Sequence, residues 1–87
     1  MPKELRNQIN YTVVCVNEFS EKNNLSVKEA FLYLYIHKGI EFLKEHYDTE
    51  HTLSIDDALD DLAIVCRNNG GMIAWFYTMV PIRISNR

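Results

Sequence analysis

Apolar and polar positions alternate along this chain with a helical period, in four runs separated by polar or glycine-containing breaks. In the first run Leu5, Ile9, Val13 and Val16 recur at spacings of four, four and three, and Thr12 and Phe19 extend the same side. That recurrence predicts a helix over residues 3–22. Pro2 is tolerated before or at its first position. Tyr11, Val14 and Cys15 widen the apolar surface, so the helix is expected to be contacted on more than one side. The β-branched run Thr12-Val13-Val14 lowers intrinsic helix propensity, which leaves tertiary packing to hold it. Asn23-Asn24 is a stop signal.

The second run opens on Ser26-Val27-Lys28-Glu29. This is capping-box grammar, in which the Ser26 hydroxyl accepts from the Glu29 amide and the Glu29 carboxylate returns to the Ser26 amide. Leu25 is placed to pack as a staple. Ala30, Phe31, Leu34 and Tyr35 form the expected buried stripe. Lys38 favours the carboxyl end, and Gly39 is expected to close the helix in the left-handed conformation.

A short third helix is expected over residues 40–47. Ile40, Leu43 and Tyr47 share one face beside Phe42, while Glu41, Lys44 and Glu45 point outward; Asp48-Thr49-Glu50 reads as a turn. Ser54 caps a fourth helix over 55–68, with Asp57 at the third position of its box. Its stripe is Ile55, Ala58, Leu59, Leu62, Val65 and Cys66, and Asn69-Gly70-Gly71 ends it. Asp56, Asp57, Asp60 and Asp61 crowd its first two turns, where like-charge repulsion is partly offset by the helix dipole.

The remainder, 72–87, differs in character. MIAWFYTMVPIRI carries no charge before Arg83. Ile73, Trp75, Tyr77 and Met79 could share a strand face, and Pro81 suits an edge or an end. One strand makes no sheet. The segment is therefore expected to drape over the helices, to continue as a helix, or to pair with a copy of itself in a homodimer, the last being favoured. The expected class is all-α: a compact four-helix domain over 1–71 with an apolar extension over 72–87.

Composition narrows what such a domain does. Eighty-seven residues suit one domain, and a chain this short buries roughly 60–65% of the surface its unfolded form exposes. A net charge of −3 argues against nucleic acid as the main partner. Cys15 and Cys66 sit in no ligand spacing, and no basic-then-apolar leader pattern opens the chain, which points to a cytoplasmic protein with reduced thiols. No apolar run is long enough to span a membrane.

Several motifs together resemble a small bacterial family of uncharacterised single-domain proteins that carries only a domain-of-unknown-function label. They are Asn17-Glu18-Phe19, Ser26 through Phe31, Gly39-Ile40-Glu41-Phe42-Leu43, Glu45-His46-Tyr47, His51-Thr52-Leu53-Ser54, Asp60-Asp61-Leu62 and Asn69-Gly70-Gly71. The resemblance spans about residues 9–71. It implies a helical domain with no established activity. It also implies genes that often lie beside genes for ADP-ribosyltransferase-like proteins, hence an antitoxin or immunity partner. The family's pattern ends near Gly70-Gly71, before the 72–87 segment.

His46, Asp48, Glu50 and His51 concentrate metal-ligand types, but a zinc site needs three or four converging groups and this spacing spans a turn. The expectation is that His51 and Thr52 bond backbone groups and that His46 fills a helix end, with no metal and no cofactor. Cys15 lies mid-helix between valines, where buried thiols are inert, and no phosphate loop or nucleophile elbow is present, so no enzyme is expected. Asp56, Asp57, Asp60 and Asp61 form either a solvated face or a complement to a basic partner. Tyr33, Tyr35, Ile36 and His37 exceed what one helix stripe needs. A helix-turn-helix around Lys38-Gly39 is the DNA-binding alternative, weakened by Glu41 and Glu45 on its outward face. The favoured function is protein–protein interaction without catalysis, with His46, Tyr47, His51, Thr52, Asp56, Asp57, Asp60, Asp61, Trp75 and Tyr77 as the candidate motif and interface residues.

Overall fold

The computed structural model describes residues 2–71, and within them the chain is all-α. Its helices are α1 (Lys3–Lys22), α2 (Val27–Ile36), α3 (Gly39–Glu45), α4 (Tyr47–Glu50) and α5 (Ile55–Asn68). The expectations for 72–87, including the strand face of Ile73, Trp75, Tyr77 and Met79, lie outside the described residues.

Local chemistry sets most of the helix ends. Asn24 takes the left-handed conformation after α1 (φ 56°). The Leu25 amide then donates to the Ser20 carbonyl at 2.8 Å, the long return bond of a Schellman turn. At α2 the capping box forms in both directions: the Glu29 amide donates to Ser26 Oγ at 3.1 Å, and the Ser26 amide donates to Glu29 Oε1 at 2.9 Å. The Asp57 amide donates to Ser54 Oγ at 3.1 Å to open α5. Gly70 at φ 92° closes α5, with the Gly71 amide donating to the Cys66 carbonyl at 2.7 Å.

Gly39 departs from expectation. The left-handed residue after α2 is Lys38 (φ 72°), and Gly39 is the first residue of α3. Close approach explains the glycine: a Cβ there would stand 2.8 Å from Leu34 Cδ2 and 3.2 Å from Cys66 Sγ. Only a bare Cα lets the start of α3 sit in the crevice between α2 and α5. The expected third helix also divides. It breaks at His46, and residues expected as a turn form the single helical turn α4.

The core is Cys15, Val16 and Phe19 of α1, Ala30 and Leu34 of α2, Leu43 of α3, and Leu59, Leu62 and Cys66 of α5. α1 packs on α2, α3 and α5, and α3 packs on α2, α4 and α5. The stripe expected on α5 is the one buried, with Val65 and Ile55 half-covered. The stripe expected on α1 is buried only from Val16 onward; Leu5, Ile9 and Val13 are 46%, 44% and 51% exposed. On α2, Phe31 and Tyr35 also face solvent, and Ala30, Leu34 and the half-buried Tyr33 form the inner face. The physical reason is coverage. Other helices overlie the carboxyl half of α1, and among the described residues the side of its first three turns that carries Leu5, Ile9 and Val13 is left largely uncovered.

Candidate functional site

Two surfaces carry the candidate residues. The first surrounds α4. The Tyr11 hydroxyl of α1 donates to the Glu50 carbonyl at 2.9 Å, joining residues 39 apart in sequence. The Tyr11 ring stands edge-on to Tyr47 (centroids 5.6 Å apart) and to His51 (6.5 Å). Tyr47 and His51 stack at 4.4 Å with planes 8° apart. His51 Nδ1 lies 2.6 Å from the Tyr47 carbonyl, so this nitrogen carries the proton. Thr52 Oγ1 donates to the Thr49 carbonyl at 2.6 Å. His51 and Thr52 thus bond the backbone, as the sequence implied.

His46 lies apart, at the other end of α4, exposed and tilted against Phe42 at 4.9 Å. The two histidines do not converge. Among the described residues no three His, Cys, Asp or Glu side chains gather into a group able to hold a metal ion. The third histidine, His37, ties the end of α2 to the end of α5: its Nδ1 donates to the Asn69 carbonyl at 3.0 Å, and its ring packs on Tyr33 at 4.7 Å.

Glu50 is the residue that sequence reasoning misplaced. Its sequence neighbours place it in a turn among metal-ligand types, yet it is 4% exposed and its Oε1 has no hydrogen-bond partner. Loss of hydration pushes its carboxyl from the ordinary 4.5 up to about 7, and the neighbouring Asp61 carboxylate pushes the same way. Asp61 is accordingly turned inward and half-buried, unlike Asp56, Asp57 and Asp60 on the same helix. Asp60 instead reaches Lys22 of α1 at 3.4 Å, an exposed pair of little energetic weight. The four-aspartate strip is therefore three exposed residues and one inward one.

Tyr11 and the two cysteines also hold their protons. Burial raises the Tyr11 phenol well above its ordinary value, with Cys15, Glu50 and Tyr47 adding to the effect. Burial raises the Cys15 thiol, partly countered by its bond with Tyr11. Burial also pushes the Cys66 thiol up to about 11, against a small opposing contribution from the Gly39 backbone. At neutral pH the phenol and both thiols are protonated, so none is an ionised nucleophile.

The second surface is an apolar groove of about 340 Å³. Leu5, Ile9 and Val13 of α1 form one wall, Phe31 of α2 and Ile40 of α3 the other, and Lys44 stands at the rim. A continuation runs past Val13 between Val16, Val27 and Phe31. At the carboxyl end of α2, Tyr35 and Ile36 are 64% and 63% exposed and border a further, partly charged hollow with Lys38, Ile40, Glu41 and Lys44. Phe31 and Tyr35 stack on each other at 6.1 Å rather than on the core.

Residues 10–69 match the family described as Protein of unknown function (DUF3791). The chain belongs to this family. The DUF3791 span takes in the α4 cluster whole, and Val13, Phe31 and Ile40 of the groove, but stops short of Leu5 and Ile9. No curated protein and no solved structure matches the chain. Among the described residues no helix is long and apolar enough to cross a membrane.

Proposed function

We propose that this DUF3791 domain is a protein-interaction module that acts by docking, without catalysis, and that the α1–α2–α3 groove receives an apolar segment of its partner. The observation that carries the reading is the exposure of Leu5, Ile9, Val13 and Phe31 along one groove. Monomers rarely leave contiguous apolar faces uncovered, and aromatic anchors such as Phe31 concentrate binding energy. The α4 side fits a role without catalysis, since its phenol and thiol are held protonated and offer no ready nucleophile.

The partner implied by the family resemblance is an ADP-ribosyltransferase-like protein encoded by an adjacent gene, neutralised as by an antitoxin or immunity protein. Asp56, Asp57 and Asp60, exposed at the start of α5, would favour a basic nucleotide-binding face on it through steering. DNA recognition is less supported, because α3 offers solvent Glu41 and Glu45 beside Lys44.

The test is co-expression of the tagged chain with the product of the adjacent gene. The reading expects co-purification, abolished by Val13→Asp and retained by Ile64→Asp, a comparably exposed position on α5 outside the groove. Absence of any complex overturns the pairing. A complex indifferent to Val13→Asp overturns the groove as its site.

A further inference from the structure

We propose that the α1–α2–α3 groove is built for an amphipathic helix with acidic flanks, whose apolar stripe lies between α1 and α2 and whose Asp or Glu side chains meet Lys28 and Lys44. The inference rests on the groove being a docking site, and it names the chemistry of what docks there.

Charge is the first observation. The chain has twelve acidic side chains and a net charge of −3, yet no acidic residue lines the groove or its continuation past Val13. Lysines do. Lys44 stands in the hollow that holds Leu5 and Ile9, and Lys28 in the one that holds Val16. In the adjoining hollow Glu41 is the one acid, beside Lys38 and Lys44. Among the described residues the single ion pair joins Lys22 to Asp60, which leaves Lys28 and Lys44 with no carboxylate in ion-pair contact. An occupant that fills the groove therefore brings the carboxylates itself, and complementary charge at the rim fixes its orientation and speeds encounter.

The backbone is the second. The long wall, from Ile9 to Asn17, is the interior of α1, whose main-chain groups already bond one another. Thr12 Oγ1 is spent on the Gln8 carbonyl at 2.9 Å. An extended segment laid on such a wall would bury its own N–H and C=O groups unpaired, whereas a helix satisfies them internally.

Length is the third. From Leu5 to Val16 the apolar wall runs about 16 Å, roughly three turns. That is the span of a helical stripe anchored at i, i+4, i+7 and i+11. A second copy of this chain fits less well. An isologous dimer brings the same patch from both protomers, so Lys28 and Lys44 would meet a surface of their own sign.

The test uses three fluorescein-labelled peptides of about 14 residues, roughly four helical turns. They share one leucine stripe and carry Glu, Gln or Lys at the flanking positions. Anisotropy titrations against the intact chain at low salt should rank Glu above Gln above Lys, with about tenfold between first and last. High salt should shrink that ratio. Lys28→Glu combined with Lys44→Glu should invert the ranking with helical circular dichroism unchanged; if that pair loses helical signal, Lys28→Gln with Lys44→Gln should flatten it. Ile9→Ser, which adds no charge, should weaken all three peptides several-fold. A central proline in the Glu peptide should abolish its binding.

Equal binding of the three peptides, still weakened by Ile9→Ser, overturns the acidic flanks and leaves the groove as a docking site. Undiminished binding of the proline peptide overturns the helix. Binding by none of the peptides overturns the whole inference, and co-purification still judges the function. A dimer in sedimentation that Ile9→Ser dissociates gives the groove to a second copy and overturns it too. Ranked binding by a chain that co-purifies with no adjacent-gene product does the reverse: it upholds this inference and sinks that pairing.

Discussion

Replacing Glu50 by glutamine should make this protein more stable in mild alkali and nearly remove one component of its pH dependence. The carboxyl is 4% exposed, with one oxygen unpartnered and the Asp61 carboxylate beside it. Its folded-state value is raised from 4.5 to about 7, so the folded chain binds this proton more tightly than the unfolded chain. The stabilisation is fully present below about pH 4.5 and is lost as pH rises through about 7. At 1.36 kcal/mol per pH unit, the interval corresponds to about 3 kcal/mol, of which about 2.5 kcal/mol falls between pH 5 and 8.5. The proton belongs to the Glu50–Asp61 pair, and Tyr11 and Cys15 on α1, which also face it, stay protonated across this range. Urea denaturation of wild type and Glu50→Gln at several pH values between 5 and 8.5 is the assay. The wild type should lose about 2–3 kcal/mol more than the variant over that range, a difference on the order of 10 °C in Tm for a domain this small. Parallel stability curves for the two proteins would refute the reasoning, because they would mean that Glu50 titrates alike in folded and unfolded chains.

Other substitutions probe the remaining joints of the fold. Gly39→Ala should destabilise by about 1–3 kcal/mol in urea melts despite alanine's better helix propensity, since the new methyl would meet Leu34 and Cys66. Tyr11→Phe, which removes the hydroxyl bond across the α1–α4 contact while the Leu53 amide still donates to the Glu50 carbonyl, should cost about 0.5–1.5 kcal/mol. Cys15 and Cys66, both buried with raised thiol values, should react with a thiol reagent only as fast as the protein opens, and at the rate of free cysteine in denaturant.

Helix limits were legible because they are written in local chemistry. The Ser26–Glu29 box, the Ser54 cap, Asn23-Asn24 and Asn69-Gly70-Gly71 each act on neighbouring backbone, and a sequence shows neighbours. Which face of a helix is buried was less legible. Leu5, Ile9 and Val13 are stronger hydrophobes than Tyr11, Cys15 and Ser20, yet the weaker set is the one that α5 and α4 cover. Periodicity says that a face is apolar; only the placement of other helices says whether it is covered. Phe31 and Tyr35 were misread for the same reason. Gly39 looked like a cap because glycine after lysine at a helix end usually is one; its real constraint is the close approach of Leu34 on the preceding helix and of Cys66, far away in sequence. Glu50 carried no local signal at all, since a glutamate two residues after an aspartate reads as solvated until α1 and α5 are seen to enclose it. In the candidate motif, the backbone bonds of His51 and Thr52 were foreseen, and the aromatic cluster with Tyr11 that holds Tyr47 and His51 in place was not.

The central claim is that the bare face of α1 exists to be bound. Calorimetric titration of the adjacent gene's product into wild type and Val13→Asp tests it most directly. The account predicts measurable binding to the wild type and at least tenfold weaker binding to Val13→Asp, a loss of about 1.4 kcal/mol or more. Equal affinities for the two proteins would contradict it.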